Sequence, residues 1–206
     1  MTKNWDKNSY IWHRMNIQLT EKKEQIFRST LKLIHEFGFH GSPMSKIAKE
    51  ADVAVGSIYH YFPSKEDLII ELYWYCKEAI NKQVFDTLDK ESSFEDQFKK
   101  IWKNLVDYYL QHVEIFGFME QFYGSPFYEG IRNEIFQQKC ERNKIIHFLE
   151  QGIQNKQLKD LHVRMLLALY LGPAISLIRS TMYSQSRVEE KIENDLVQLI
   201  WDGVKL

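Results

Sequence analysis

The 206 residues carry 27 Lys and Arg against 28 Asp and Glu, a net charge of −1, with 44% hydrophobic residues; this is a globular composition and argues against a general polybasic nucleic-acid coat. The longest apolar run, 165–178, contains Gly172 and Pro173 and falls short of the ~20 residues that cross a bilayer, so no membrane span is expected. The two cysteines, Cys76 and Cys140, lie far apart, which fits a reducing compartment and suggests neither a disulfide framework nor a zinc site.

Four prolines and nine glycines favour long helices over many short strands. Residues 1–19 show no clear period and read as an irregular N-terminal arm. Trp5, Tyr10 and Trp12 interrupt it without an apolar core, so it does not read as a signal peptide, and the cytoplasm is the expected location. From Thr20 the pattern turns helical, with Thr20 as N-cap and Glu21 and Glu24 in the first turn. Ile26, Thr30, Leu33, Ile34 and Phe37 form one buried stripe, and Gly38 stops the helix. Ser42 is expected as the next N-cap with Pro43 at the first helical position. Met44, Ile47, Ala48 and Ala51 form that helix's inner face.

Asp52-Val53-Ala54 is a tight turn. A third helix over 55–62 turns Ile58 and Phe62 inward, and Pro63 ends it. Ser64-Lys65-Glu66-Asp67 resembles a capping box that opens a long fourth helix through Leu68, Ile69, Leu72 and Tyr75 to about residue 88. Two short helices joined by a short turn and braced on both sides make a helix-turn-helix arrangement.

The remainder is helical as well. Phe94, Phe98, Ile101, Trp102, Leu105, Tyr108, Tyr109 and Val113 trace a broad apolar face. Residues 116–123 are dense in aromatics, and Ser125-Pro126 breaks the chain. Ile131, Ile135, Ile145, Ile146, Phe148, Leu149 and Ile153 belong to one long helix or a pair. A further helix over 161–183 is expected to kink or break near Pro173. Val188, Ile192, Leu196, Leu199, Ile200 and Val204 mark the last. The expected domains are thus a head over 20–66 and a body over 67–206. Residues 1–65 hold ten Lys and Arg against six Asp and Glu, and residues 66–206 hold 17 against 22. A basic head on an acidic body suits DNA reading by the head.

Residues 47–68 read IAKEADVAVGSIYHYFPSKEDL. Ile47-Ala48, Ala51, Val53, Gly56, Ile58-Tyr59, Tyr61-Phe62, Ser64-Lys65-Glu66 and Leu68, with Gly38-Phe39 upstream, resemble the DNA-binding heads of the TetR/AcrR-type bacterial repressors. The resemblance covers about residues 20–70. It departs at Asp52, where the family usually has Gly, at Ala54, where Ser or Thr usually caps the third helix, and at Pro43 and Ser45. Asp tolerates a left-handed backbone better than most residues, so the turn is expected to persist. The missing cap at Ala54 should cost about 1 kcal/mol.

The resemblance implies a recognition helix in the major groove, with Ser45, Val55, Gly56, Ser57, Tyr59, His60, Tyr61 and Lys65 as the DNA-facing set. It implies a repressor released from a palindromic operator by a small apolar or amphipathic effector. The candidate effector residues are Trp102, Tyr108, Tyr109, His112, Phe116, Met119, Glu120, Phe122 and Tyr123, an aromatic cluster with a few polar groups. The 165–175 stretch is apolar on all sides, and such a helix is expected to be covered on all sides. Met165, Leu169, Gly172, Ile175, Ile192, Leu196, Leu199 and Ile200 are therefore the candidate homodimer interface. The partners expected are double-stranded DNA, the effector and a second copy, and no membrane.

No catalytic set stands out. His147 with Glu150 and Glu36 with His40 are isolated pairs, and there is no phosphate loop, H-E-x-x-H or nucleophile elbow. Neither a cofactor nor a metal is expected. The alternative is a helical ligand-binding or scaffolding protein with weak or non-specific DNA binding.

Overall fold

The computed structural model describes residues 21–89, 91–137, 143–184 and 189–206. The arm expected over 1–19, the Thr20 cap, Cys140 and Val188 lie outside the described residues, as does the side chain of Ile135. The described residues form ten α-helices and one isolated bridge, Leu158 to Lys205. They fall into two compact units: Lys65 closes the first, and Glu66–Leu206 is the second.

The first unit holds α1 (Glu21–Phe37), α2 (Met44–Glu50) and α3 (Val55–Tyr61). Its core is Ile26, Phe27, Leu31, Leu33 and Ile34 of α1 with Met44, Ile47, Ala48, Ala51, Ile58 and Phe62. Phe27 and Phe62 meet with ring centroids 5.5 Å apart. Thr30 is buried, and its hydroxyl donates to the Ile26 carbonyl at 2.7 Å, which satisfies the group without a partner outside the helix.

Two local expectations need correction. Phe37 is 51% exposed rather than part of the buried stripe. It is the last residue of α1, and the chain turns away directly after it at Gly38, φ 67°. The Lys46 ammonium lies over its ring, 3.2 Å from the centroid. Ser42 does not cap α2: Pro43 holds the cap position with no side-chain bond. Ser42 is fully buried, and its hydroxyl donates back to the Gly38 carbonyl at 2.8 Å, tying the turn shut.

The second unit contains α4 (Lys65–Phe85), apart from its first residue, then α5 (Phe94–Gln111) and α6 (Val113–Tyr123). α7 (Pro126–Gln137), α8 (Lys144–Gln154), α9 (Val163–Ser184) and α10 (Glu190–Val204) follow. Ser93 caps α5, accepting from the Asp96 amide at 3.1 Å. α5 is the central element: α6, α9 and α10 all pack against it. Two buried hydrogen bonds clasp α5 to α9, Trp102 Nε1 to the Tyr170 carbonyl at 2.9 Å and Tyr170 OH to the Phe98 carbonyl at 2.7 Å. Each aromatic thereby buries a large apolar area and still satisfies its polar tip.

α9 occupies nearly the stretch expected of it, 161–183. It runs from Val163 to Ser184 and continues through Pro173 rather than breaking there. By length and composition it is enough to cross a membrane, with mean hydropathy 1.4 over an 18-residue window. Within the single chain its cover is one-sided: Leu166, Tyr170, Ala174 and Ile178 are buried, while Met165 and Leu169 are exposed. One face is knitted into the unit through Tyr170, and the opposite face stands open.

Candidate nucleic-acid interface

The turn before α3 is closed by two backbone bonds. The Val53 amide donates to the Ala48 carbonyl at 3.0 Å, and the Asp52 amide to the Lys49 carbonyl at 3.3 Å. This is a Schellman stop, which requires a left-handed residue at Asp52. Its φ is 49°, so Asp takes the conformation that the resemblance assigns to glycine. At Ala54, φ −64° and ψ 141°, no side chain caps α3, as its methyl dictates.

α3 is two-faced. Ile58 and the following Phe62 are fully buried. Val55, Gly56, Tyr59 and His60 are exposed, and Ser57 and Tyr61 are half-buried. A Cβ added at Gly56 would meet nothing within 4 Å, so the first turn is slim and open. Ser45, on α2, is also exposed. Seven of the eight sequence-predicted residues thus lie on α2 and α3, six of them on a single helix.

Lys65 differs. It is half-buried, and its ammonium donates to the Phe39 carbonyl. Burial holds its pKa below the usual lysine range. It therefore anchors the turn after α1. Among the described residues no carboxylate neutralises it, and an ammonium has further protons to offer. Elsewhere on this unit Lys32 pairs with Glu50 at 2.6 Å and Arg28 with Glu24 at 2.9 Å. Lys49 is exposed.

The candidate effector residues do not form one open site. Trp102, Tyr108, Phe116, Met119 and Phe122 are buried. Trp102 faces Tyr170, whereas Phe122 stacks on Tyr73 at 4.3 Å. Tyr109 is half-buried and meets Phe116 edge-on at 5.3 Å. His112 is exposed, its ring 4.4 Å from Tyr108. Glu120 is paired with Arg179, whose Nε lies at 2.7 Å, and Tyr123 is exposed. Sequence reasoning missed Tyr73 and Tyr128, which meet Tyr123 at 6.2 and 5.4 Å. The spacing Ile69, Tyr73, Cys76, Ile80 on α4 was the available signal. Burial, then Tyr123, push the Tyr73 phenol far above its ordinary pKa, and burial pushes Tyr108 up to about 12. Burial likewise raises the Cys76 thiol. These groups stay protonated at neutral pH and serve as polar contacts rather than as acids or nucleophiles.

Of the candidate dimer residues, Met165, Leu169, Ile192 and Leu199 are exposed, Leu199 by 69%. Gly172 is exposed, and Ile175 and Leu196 are half-buried. Ile200 is a correction: at 8% exposure it belongs to the core, because it lies on the buried side of α10 with Val197, Trp201 and Val204. Among the described residues no group of three His, Cys, Asp or Glu is placed to hold a metal.

A two-faced helix behind a tight turn, set in a three-helix head that precedes an all-helical body, defines a helix-turn-helix DNA-binding transcriptional regulator. Residues 26–72 match the family described as bacterial regulatory proteins, tetR family. Residues 93–205 match the tetracyclin repressor-like C-terminal domain. The chain belongs to the TetR family, whose members are regulators rather than enzymes.

An uncharacterized HTH-type transcriptional regulator of Haemophilus influenzae is 25% identical over 186 residues, 90% of this chain and 97% of that protein. A TetR family transcription regulator from Marinobacter aquaeolei VT8 has a similar fold, with TM-score 0.81, 20% identity, and coverage of 89% of this chain and 95% of that one. The transcriptional regulator FadR from Bacillus subtilis, solved in complex with stearoyl-CoA, has TM-score 0.72 at 23% identity, covering 87% of this chain and 98% of that one.

Proposed function

We propose that this regulator is a cytoplasmic repressor that binds a palindromic operator as a homodimer and is released by a small apolar or amphipathic effector. In this reading a head over 20–66 reads DNA, and a body over 67–206 binds the effector and the second copy. The observation that carries it is the open face of α3, where Val55, Gly56, Tyr59 and His60 stand out over buried Ile58 and Phe62. That face enters the major groove. Ser45, Ser57 and Tyr61 complete it, and Lys65 adds a phosphate contact while holding Phe39. One head contacts few bases, so two copies read half-sites ~34–36 Å apart, or a multiple of that. The open apolar face of α9 and α10 supports the pairing. The stearoyl-CoA in the FadR complex supports an amphipathic effector. The aromatic residues Tyr109, Phe116 and Tyr123 are proposed to meet its apolar part.

Selection from a random duplex library at moderate salt tests the reading. The expected product is a palindrome bound by two protomers. Tyr59→Phe should weaken binding by ~0.5–1.5 kcal/mol, the worth of one hydrogen bond, with the salt slope unchanged. Lys65→Ala should flatten the slope by about one unit. Failure to enrich any palindrome at any salt would sink the proposal.

A further inference from the structure

Outside the aromatic cluster, the second unit holds a cleft of about 270 Å³ lined by Trp74, Lys77, Glu78, Asn81, Lys82 and Asp86 of α4 and by Lys144 of α8. Its charge is unusual. Three lysines and two carboxylates line it, yet among the described residues none of the three lysines is in an ion pair. Lys77 donates instead to a neutral amide oxygen, Asn143 Oδ1, at 3.0 Å. Lys144 lies over the Phe85 ring at 5.6 Å. Lys77 is also largely covered, and burial lowers its pKa to about 8. A covered cation without a counter-charge is costly. The cleft keeps such a cation beside two others, although Glu78 and Asp86 line the same walls.

The volume limits the occupant. Complete small-molecule sites run to roughly 300–1,000 Å³, so a cleft of about 270 Å³ suits a head group rather than a whole amphipathic ligand. Its aromatic wall leads towards the cluster described above. Trp74 meets Tyr73 edge-on at 4.9 Å, and Tyr73 stacks on Phe122 at 4.3 Å.

We propose that this cleft binds the oxyanion end, phosphate or carboxylate, of a small amphipathic molecule, with Lys77, Lys82 and Lys144 as its cations. The proposal rests on the effector reading above and adds the polar half of that ligand. The anion supplies a counter-charge that none of the three lysines has among the described residues, and the apolar part follows Trp74 towards Tyr73. The site lies on α4, the helix that begins at Lys65, so occupancy acts on an element continuous in sequence with the head.

Calorimetry on the full chain tests this with four probes: inorganic pyrophosphate, coenzyme A, dodecanoate and dodecanoyl-CoA. Operator binding is measured in parallel. At least one probe should bind the wild type, with phosphate probes and dodecanoate separating the two oxyanion sources. Lys77→Gln and Lys144→Gln should each weaken that binding about tenfold or more, the worth of a charged hydrogen bond. Lys82→Gln, at an exposed position, should do so by a smaller factor. A thermal melt confirms that each variant is folded. Binding of no probe overturns the proposal, and so does binding that the folded Lys77 and Lys144 variants leave unchanged. If a probe binds through these lysines but leaves the operator complex intact, the cleft stands and the effector-released repressor falls.

Discussion

At Asp52 the backbone turns left-handed, and the two amide bonds behind it end α2. A short acidic residue does there what glycine does elsewhere, at a modest steric cost. Lys77 shows the opposite kind of cost, electrostatic rather than steric. Burial brings its pKa from 10.5 to about 8, so below pH 8 the folded protein holds a desolvated cation. As the pH rises from 8 to 10.5 the folded chain sheds this proton while the unfolded chain keeps it, and stability rises across that window. Glu78, Lys82, Asp86 and Lys144 line the same cleft, and burial is the cause of the Lys77 shift. Lys77→Met should therefore stabilise the protein at pH 7 by ~2 kcal/mol, less than the full shift because the side chain is only partly covered. The advantage over wild type should fade towards pH 10. Denaturant melts of both proteins from pH 6 to 10 measure this, and a gap that widens with pH would contradict it.

Helix contacts in the second unit depend on single positions where two elements come close. Gly152 of α8 is buried, and a Cβ there would fall 2.5 Å from Phe94 Cζ and 2.8 Å from Leu158 Cδ1. Phe94 cannot easily withdraw, since it stacks on Phe148 at 4.5 Å and leans on Trp201 at 6.2 Å. Leu158 is held by the C-terminal strip, where the Lys159 amide donates to the Val204 carbonyl at 2.9 Å. Gly152→Ala gains helix propensity of about 1 kcal/mol but overpacks this contact, which costs typically 1–3 kcal/mol. The net should be a loss of stability, read as a lower Tm. A gain would show that Phe94 and Leu158 can move aside cheaply. In the first unit the same scale explains why Ser42 does not cap α2. Its hydroxyl reaches the Gly38 carbonyl, and that bond closes the turn between α1 and α2.

For the whole molecule the proposed dimer makes a concentration-dependent prediction. Met165 and Leu169 on α9 and Ile192 and Leu199 on α10 are exposed, and the two helices pack against each other. Exposed apolar residues grouped in this way mark an interaction surface. Leu199→Asp would bury a charge in a symmetric interface twice over. It should give monomers by sedimentation at micromolar concentration and reduce operator affinity, while far-ultraviolet circular dichroism stays unchanged. If the variant sediments as the wild type does, the α9 and α10 face is not the interface.

The sequence by itself determined the head: its helices, the Asp52 turn, the uncapped Ala54 and the inward Ile58 and Phe62. Most of these depend on interactions spanning a few residues, where helical period and turn chemistry act directly, though the burial of Phe62 also needs Phe27 of α1. It also marked most of the body's helices, because apolar spacing is local too. Only the tertiary structure decided which side of an apolar helix is covered. Leu166, Tyr170, Ala174 and Ile178 go inward on α9 while Met165 and Leu169 do not, and Ile200 is buried beside an exposed Leu199. It also brought Lys77 and Lys144 to one cleft and joined Tyr73 to the aromatic cluster. Burial is set by which distant elements meet, and a hydrophobic period records only that a face can be buried, not what will bury it.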